Sequence, residues 1–400
     1  MVKRARKLNH RCGRRYLLEL PHALLQLIFS LFSVQTAASA SRCCKTFARL
    51  TYRPQTLTLP TYHRLILSCP KLFARTDISR VTKMNFDTTT YFYDIGLTHI
   101  LTRLPNIRML CLDSDLFTLS SHSSLSNFTV PPLTQLEELC LNGHRGQEVV
   151  LWTLRAMCTD PTKLKRLKIG MVAFTRELHQ LLSTFKSLTH LRLELGRSEV
   201  SYTTNEPIFS QVLEFADVWS YSVNLPAVFC QAKSLMLDTP NMSADFTLPA
   251  CVEELSLGDD CSVTGLKAAS ACSLKKLFLI NDQHSNSTFL AEISRHSTTL
   301  IEIGLPMIWF YEQREFFSRV CALLPNVEIF HYFHDKDDRQ CKAKEKENDM
   351  FRINQMFPKL KRVVVSQYCS KKCCFYRSNR FHARVVVADS NPSPWSLLRM

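Results

Sequence analysis

LEELCL at 136–141, LKRLKI at 164–169 and LTHLRL at 188–193 share one pattern: apolar, two variable, apolar, one variable, apolar. Alternation at period two is what a strand with one buried face requires. The same hexad begins at Pro54, Val81, Ile107, Ala232, Val252, Leu274, Leu300, Val327 and Leu360, with a degenerate copy at Leu213 (LEFADV) inside the long gap from 188 to 232. With that copy counted, the average step is about 25 residues, inside the ~20–29-residue period of one class of repeat protein.

Between hexads the apolar spacing changes to i, i+3, i+4 and i+7. EVVLWTLRAMC (148–158), TRELHQLLSTF (175–185), TFLAEISRH (288–296) and EQREFFSRVCALL (312–324) read as helices. Each unit is then a short strand followed by a helix. Neither half can bury its apolar face alone, so neighbouring units must stack. Over residues 52–368 the chain resembles the leucine-rich repeat family, which implies a curved α/β solenoid. It departs from that family in lacking the asparagine after the strand: the matching positions are His144, Val172, Gly196, Asp260, Asp282 and Ile308. The turns therefore need other hydrogen-bond partners.

The variable positions of the hexads should line one surface, the concave face of such a solenoid. They read Glu137 and Glu138, then Lys165, Arg166 and Lys168, then His190, Arg192 and Glu194. Glu253 and Glu254, Lys275 and Lys276, Glu302, and Lys361 and Arg362 follow. Of these, Glu138, Lys165, Arg166, Lys168, His190, Arg192, Glu254, Lys275 and Lys276 are the candidate contacts for a protein substrate. Acidic and basic bands alternate, which is not the uniformly basic groove that nucleic acid requires.

Charge distribution agrees. Seven Lys/Arg and no acid fall in Met1–Arg15, and eight with no acid fall in Lys359–Arg384; together they equal the whole net charge of +15. The expected layout is a basic tail at 1–15, a helical module at 16–52, the repeats at 53–368 and a basic cap or tail at 369–400. The first tail could serve nuclear import. DKDDRQCKAKEKEND (335–349) reads as a solvated loop between repeats.

In the module, Leu20, Leu24, Leu25, Ile28 and Phe29 fall on one helical stripe, which Leu31 and Phe32 extend. Pro21 is tolerated in a first helical turn, where its missing N–H has no partner to lose. A polar break at Ser33–Thr36 precedes a second helical stretch carrying Ala37, Ala38, Cys44 and Phe47. So short a segment cannot bury its stripe alone and must dock on a partner or on the repeats. The order Leu20-Pro21, Leu24-Leu25, Ile28-Phe29, Leu31, then Cys44-Lys45, Phe47 and Leu50 resembles an F-box. The chain departs from that family in Ala23, Ser41 and Phe47, where an acid, Val and Trp are usual. The resemblance implies a three-helix F-box that docks on the Skp adaptor of a Skp–cullin–F-box ubiquitin ligase. The adaptor contacts it implies are Leu20, Pro21, Leu24, Leu25, Ile28, Phe29, Leu31, Cys44 and Phe47, while the repeats hold a substrate protein.

The remaining composition excludes more than it suggests. Nine glycines make up about 2% of the chain, against a usual ~7%, and there is no GxGxxG or GxxxxGK[ST] to cradle phosphate. GxSxG, HExxH and kinase signatures are absent too, so no catalytic residue and no cofactor is expected. The sixteen cysteines are scattered, several inside apolar runs, which points to reduced thiols in a reducing compartment. Cys369, Cys373 and Cys374, and the pair His331 and His334, match no standard zinc spacing. Asn-x-Ser/Thr sites at Asn127, Asn241 and Asn286, with the basic start and AASASR, imitate a secreted chain. Glu19, Pro21, His22 and Gln26 interrupt the would-be signal and fit an amphipathic helix instead. No run reaches ~18 apolar residues, so no transmembrane helix is expected. Cytoplasm or nucleus is the expected location. Three alternatives stay open: a repeat scaffold unrelated to ubiquitin, a secreted repeat receptor, and a basic nucleic-acid binder.

Overall fold

The computed structural model describes residues 20–58, 70–86, 95–113, 131–142, 147–196, 208–220, 231–238, 247–258, 267–268, 273–279, 291, 293–306, 313–333, 352–353, 355–366 and 384–388. The basic segment 1–15, the 335–349 stretch, the CSKKCC cluster, His334 and the three Asn-x-Ser/Thr sites lie outside them. The chain divides into two compact units, Met1–Val172 and Ala173–Met400.

The first unit opens with three helices: α1 (His22–Ser30), α2 (Val34–Cys43) and α3 (Lys45–Arg49). Five parallel strands follow in sequence order: β1 (Thr56–Thr58), β2 (Lys83–Asn85), β3 (Met109–Asp113), β4 (Glu138–Asn142) and β5 (Arg166–Val172). Helices α4 (Pro70–Phe73), α5 (Ile95–Thr102) and α6 (Gln147–Met157) come between them in the chain, with a 3₁₀ turn at Ile78–Arg80.

The second unit carries α7 (Arg176–Leu182), then β6 (His190–Leu195), β7 (Leu213–Ser220), β8 (Ala232–Asp238), β9 (Thr247–Leu248), β10 (Glu254–Leu257), β11 (Lys267–Ala268) and β12 (Lys276–Leu279). β13 (Glu302–Pro306), α8 (Arg314–Leu323), β14 (Ile329–Phe333), β15 (Arg362–Ser366) and β16 (Arg384–Ala388) complete it. All nine long strands pair in parallel, and β9 pairs separately with β11. This is the α/β strand-and-helix repeat expected. The degenerate copy at Leu213 is an eight-residue strand in full register with both neighbours, and β16 adds a strand beyond the last hexad.

The hexad explains the packing. Its first, fourth and sixth residues form the interior: Leu164, Leu167 and Ile169 are at most 1% exposed, and so are Leu188, Leu191 and Leu193. Leu154 and Met157 of α6, and Leu178 and Leu182 of α7, close the helical side of their repeats. Each such side chain contributes about 1.5–3 kcal/mol by leaving water, so the stack is held by repetition rather than by any single contact.

In place of the missing asparagine ladder, side chains on the turns before β3, β5, β7 and β14 bond the preceding repeat. Asn106 Nδ2 donates to Ser79 O at 2.8 Å, Lys163 Nζ to Thr134 O at 2.9 Å, and Asn326 Nδ2 to Thr298 O at 3.1 Å. Gln211 Nε2 reaches Phe185 O and Leu188 O at 3.0 and 3.3 Å. Each bond joins a turn to the one in the preceding repeat, supplying backbone carbonyls with a side-chain donor.

Candidate functional site

Pro21 stands at the N-cap of α1, where its carbonyl accepts from Leu24 and Leu25 N–H at 2.9 and 3.0 Å. Ser33 caps α2 by accepting from Thr36 N–H at 3.2 Å. The second helical stretch read from the sequence is in fact two helices, because Cys44 adopts extended backbone (φ −140°, ψ 123°) and ends α2 while starting α3. The Cys44 thiol accepts the Phe47 backbone N–H, which holds its pKa below the ordinary thiol range.

Phe29 is fully buried and organises the module: its ring lies 5.5 Å from Phe47, 5.9 Å from Phe32 and 5.8 Å from Tyr52. Leu25, Val34, Ala37, Ala38 and Leu50 complete that core. Tyr52 then ties the module to the first repeat. Its hydroxyl donates to Phe32 O at 2.7 Å, and its backbone pairs with the Arg75–Asp77 segment. Gln26 Nε2 also donates to Thr51 O.

Burial divides the adaptor-contact set that the F-box resemblance implies. Leu25, Phe29 and Phe47 are 2%, 0% and 6% exposed and form the module's own core. Leu20, Ile28 and Cys44 are half-buried. Pro21 is exposed, while Leu24 and Leu31 are 42% and 77% exposed, and with them Leu27 at 57%. Leu27 was absent from the stripe read above, although the spacing 24, 27, 31 is i, i+3, i+7 and its signal was present. α1 is therefore apolar on two sides: one covers the core and the other is open.

The variable face of the strands gives a different picture. Register aligns Thr56, Lys83, Met109, Glu138 and Arg166 in the first unit. In the second it aligns His190, Phe215, Ser234, Glu254, Lys276, Glu302, Ile329 and Arg362. Alternating bands thereby become neighbours. Lys165 Nζ meets Glu137 Oε2 at 2.9 Å, and Arg166 meets Glu138 at 3.1 Å. Lys275 meets Glu253 at 2.6 Å, while Lys276 lies 3.3 Å from Glu254 and 3.5 Å from Glu302. Lys233 and Glu214, and Lys361 and Glu328, pair likewise at 3.1 and 2.8 Å. The sequence-predicted substrate contacts Glu138, Lys165, Arg166, Glu254, Lys275 and Lys276 are thus each ion-paired to a residue of the adjacent strand or the turn before it. The hydrogen bond from Lys165 holds Glu137 below its usual carboxylate range, and that from Lys275 does the same for Glu253. Lys168 is half-buried on the same face.

Two clusters sit deeper. Asp217 is 1% exposed and lies 3.4 Å from Arg192 Nε, whose guanidinium also approaches Glu194 at 3.3 Å and stacks 5.7 Å from the Trp219 ring. His190 Nδ1 lies 2.9 Å from Thr189 Oγ1, and its ring stacks on Phe215. Further along, His331 Nε2 donates to Glu302 Oε1 at 2.6 Å and packs edge-on against Phe278, 5.0 Å away. The two rings meet across Gly304, which aligns with both and carries no side chain to separate them. Burial pushes the Glu302 pKa up, but hydrogen bonds and charge from His331 and Lys276 outweigh it and leave the carboxyl below its ordinary value. These clusters hold sequence-predicted His190 and Arg192; Asp217, Trp219 and the Glu302–His331 pair were not assigned, because only register brings them together.

Among the described residues no group of three His, Cys, Asp or Glu could hold a metal ion. Among the same residues no helix is long and apolar enough to cross a membrane. The described cysteines are free thiols, and burial pushes that of Cys158 up to about 12.

The F-box domain family matches residues 17–59, so the helical module is an F-box domain. No curated protein matches the chain. A chain of the crystal structure of the Rad7 and Elc1 complex in yeast is similar at 13% identity and a TM-score of 0.33, over 96% of each chain; a likeness that loose carries no further inference.

Proposed function

We propose that the chain is a non-enzymatic substrate-recognition subunit of a Skp–cullin–F-box ubiquitin ligase. The observation that carries this reading is the open apolar face of α1 (Leu24, Leu27 and Leu31) on an F-box domain whose other face is already packed. A module that served only to cap the repeats would turn its apolar residues inward; this one leaves three leucines in solvent. The Skp adaptor covers that face by helix-in-groove packing, and the repeats, of leucine-rich type, hold a protein substrate. Tethering then raises the substrate's effective concentration near the ubiquitin-loaded enzyme of the complex. Such a subunit works in the cytoplasm or nucleus, with no cofactor and no small-molecule substrate.

The test is co-purification of adaptor with the double variant Leu24→Asp and Leu31→Asp. Both side chains are exposed, so the fold survives while adaptor recovery is lost. Adaptor recovery equal to that of the unaltered chain sinks the proposal.

A further inference from the structure

A groove of about 590 Å³ lies inside the first unit, between the flank of α1 and the turns of the first repeats. That volume is within the ~300–1,000 Å³ of clefts that enclose ligands. Gln26, Leu27 and Ser30 form its helical wall; Arg53, Arg80 and Asn106 belong to its opposite wall. Polar side chains of both walls are hydrogen-bonded to backbone carbonyls. Gln26 donates to Thr51 O, Ser30 Oγ to Gln26 O at 2.9 Å, and Asn106 Nδ2 to Ser79 O at 2.8 Å.

The charge is not balanced in the same way. Arg53 Nε and Arg80 Nε share a single carboxylate oxygen, Asp77 Oδ2, at 3.9 and 3.5 Å, both too long for a hydrogen-bonded pair. Asp77 also accepts the Ser79 hydroxyl at 2.5 Å through its other oxygen. Arg53 Nε is buried and donates to no acceptor among the described residues. A buried guanidinium N–H without an acceptor is costly, and the rest of the Arg53 side chain, 37% exposed, lines the cleft. This contrasts with the strand face, where each band of one sign meets its complement in the next repeat.

We infer that this groove binds an extended peptide segment bearing carboxylates. Two planar guanidiniums match carboxylates bidentately, while Leu27 and the α1 flank offer an apolar wall for the peptide backbone and methylenes. Leu27 belongs both to this groove and to the open face of α1, so the peptide and a partner covering that face compete for it.

The experiment is fluorescence anisotropy on the full chain, with a fluorescein-labelled octapeptide alternating Glu and Gly against its Gln–Gly counterpart. The Arg53→Ala, Arg80→Ala variant is compared with Arg103→Ala, Arg155→Ala, which removes equal charge from exposed positions outside the groove. The expected result is preference for the Glu peptide and about tenfold weaker binding in the groove variant, which is the loss of a typical anchor contact. The control variant should change binding less than about twofold, as charges outside a contact do. Asp77→Asn, which releases both guanidiniums, should tighten binding. Arg53→Lys, Arg80→Lys keeps the charge but not the fork and should lose affinity, so a folding defect in the alanine variant leaves the inference testable. Equal losses in both alanine variants, no preference for Glu over Gln, or tighter groove-dependent binding of an oligothymidylate would each overturn it.

Discussion

The F-box domain and the strand array leave opposite kinds of group unfinished. On α1 the surplus is apolar: Leu24, Leu27 and Leu31 stand in solvent although Leu25 and Phe29, on the neighbouring side of the helix, are fully packed. On the strands the surplus is charge, and the strands settle it among themselves through Glu137–Lys165, Glu253–Lys275 and Glu328–Lys361. An apolar face can be completed only by another apolar surface, and Leu24, Leu27 and Leu31 lie outside the core that α1 shares with α2 and α3. A charged face is completed by a neighbour one repeat away, or by water. The comparison therefore places the need for a partner on α1, and it makes the charged strand bands self-sufficient.

The sharpest way to break the comparison is inside the module. Phe29→Ala removes the ring on which Phe32, Phe47 and Tyr52 converge, and should cost about 3–5 kcal/mol. Leu31→Ala, on the open side of the same helix, should change stability by no more than about 0.5 kcal/mol. Urea unfolding of the two variants measures both, and similar losses would mean that α1 has no open face.

On the strand side the largest effect should come from the buried pair. Arg192→Met strips the charge partner from Asp217, which is 1% exposed. The expected loss is about 3 kcal/mol, the lower end for a broken buried pair, since Arg192 keeps some contact with water. Asp217→Asn added to that variant should restore part of it.

Glu302 supplies a pH signature. Its folded-state pKa lies below its ordinary value of 4.5, so the folded state favours its ionised form. Its contribution is complete above that ordinary value and disappears as pH falls through the lowered one. Glu302→Gln should therefore flatten the acid limb of stability below about pH 4.5, read as the urea midpoint against pH. An unchanged acid limb would show that the His331 and Lys276 contacts contribute nothing. Smallest of all, Lys165→Ala should cost at most about 0.5 kcal/mol and less at high salt, as exposed ion pairs do. A larger loss would mean that the ladder is structural rather than merely neutralising.

Much of this architecture was readable in the hexads. Their buried positions are the core positions of the strands, and the helical spacing at 148–158, 175–185 and 312–324 matches α6, α7 and α8 to within a few residues. Even LEFADV, with Ala216 and Val218 at positions where leucine is usual, forms β7, because neighbours on both sides supply its hydrogen bonds. The candidate sites were less legible. The stripe along α1 identified apolar residues but not which of its two sides the core would take. That depended on where α2, α3 and Tyr52 came to rest against Phe29. The groove was missed although Arg53, Arg80 and Asn106 each stand immediately before a hexad, one repeat apart; only folding brings Gln26 of α1 opposite them.

Periodicity in the chain is local information, and it was enough for the strands, the helices and their stacking, because a period-two or period-3.6 pattern is set by backbone geometry within a few residues. Lateral register is not local. Lys165 and Glu137 share a hexad position and could be aligned from the repeat, but Glu302 and His331, third and fifth in their hexads, are a whole repeat apart, and nothing in either segment says that they will meet. Only packed strands bring those charges within 3 Å, turn a banded surface into a neutral one, and leave the leucines of α1 as the face without a partner.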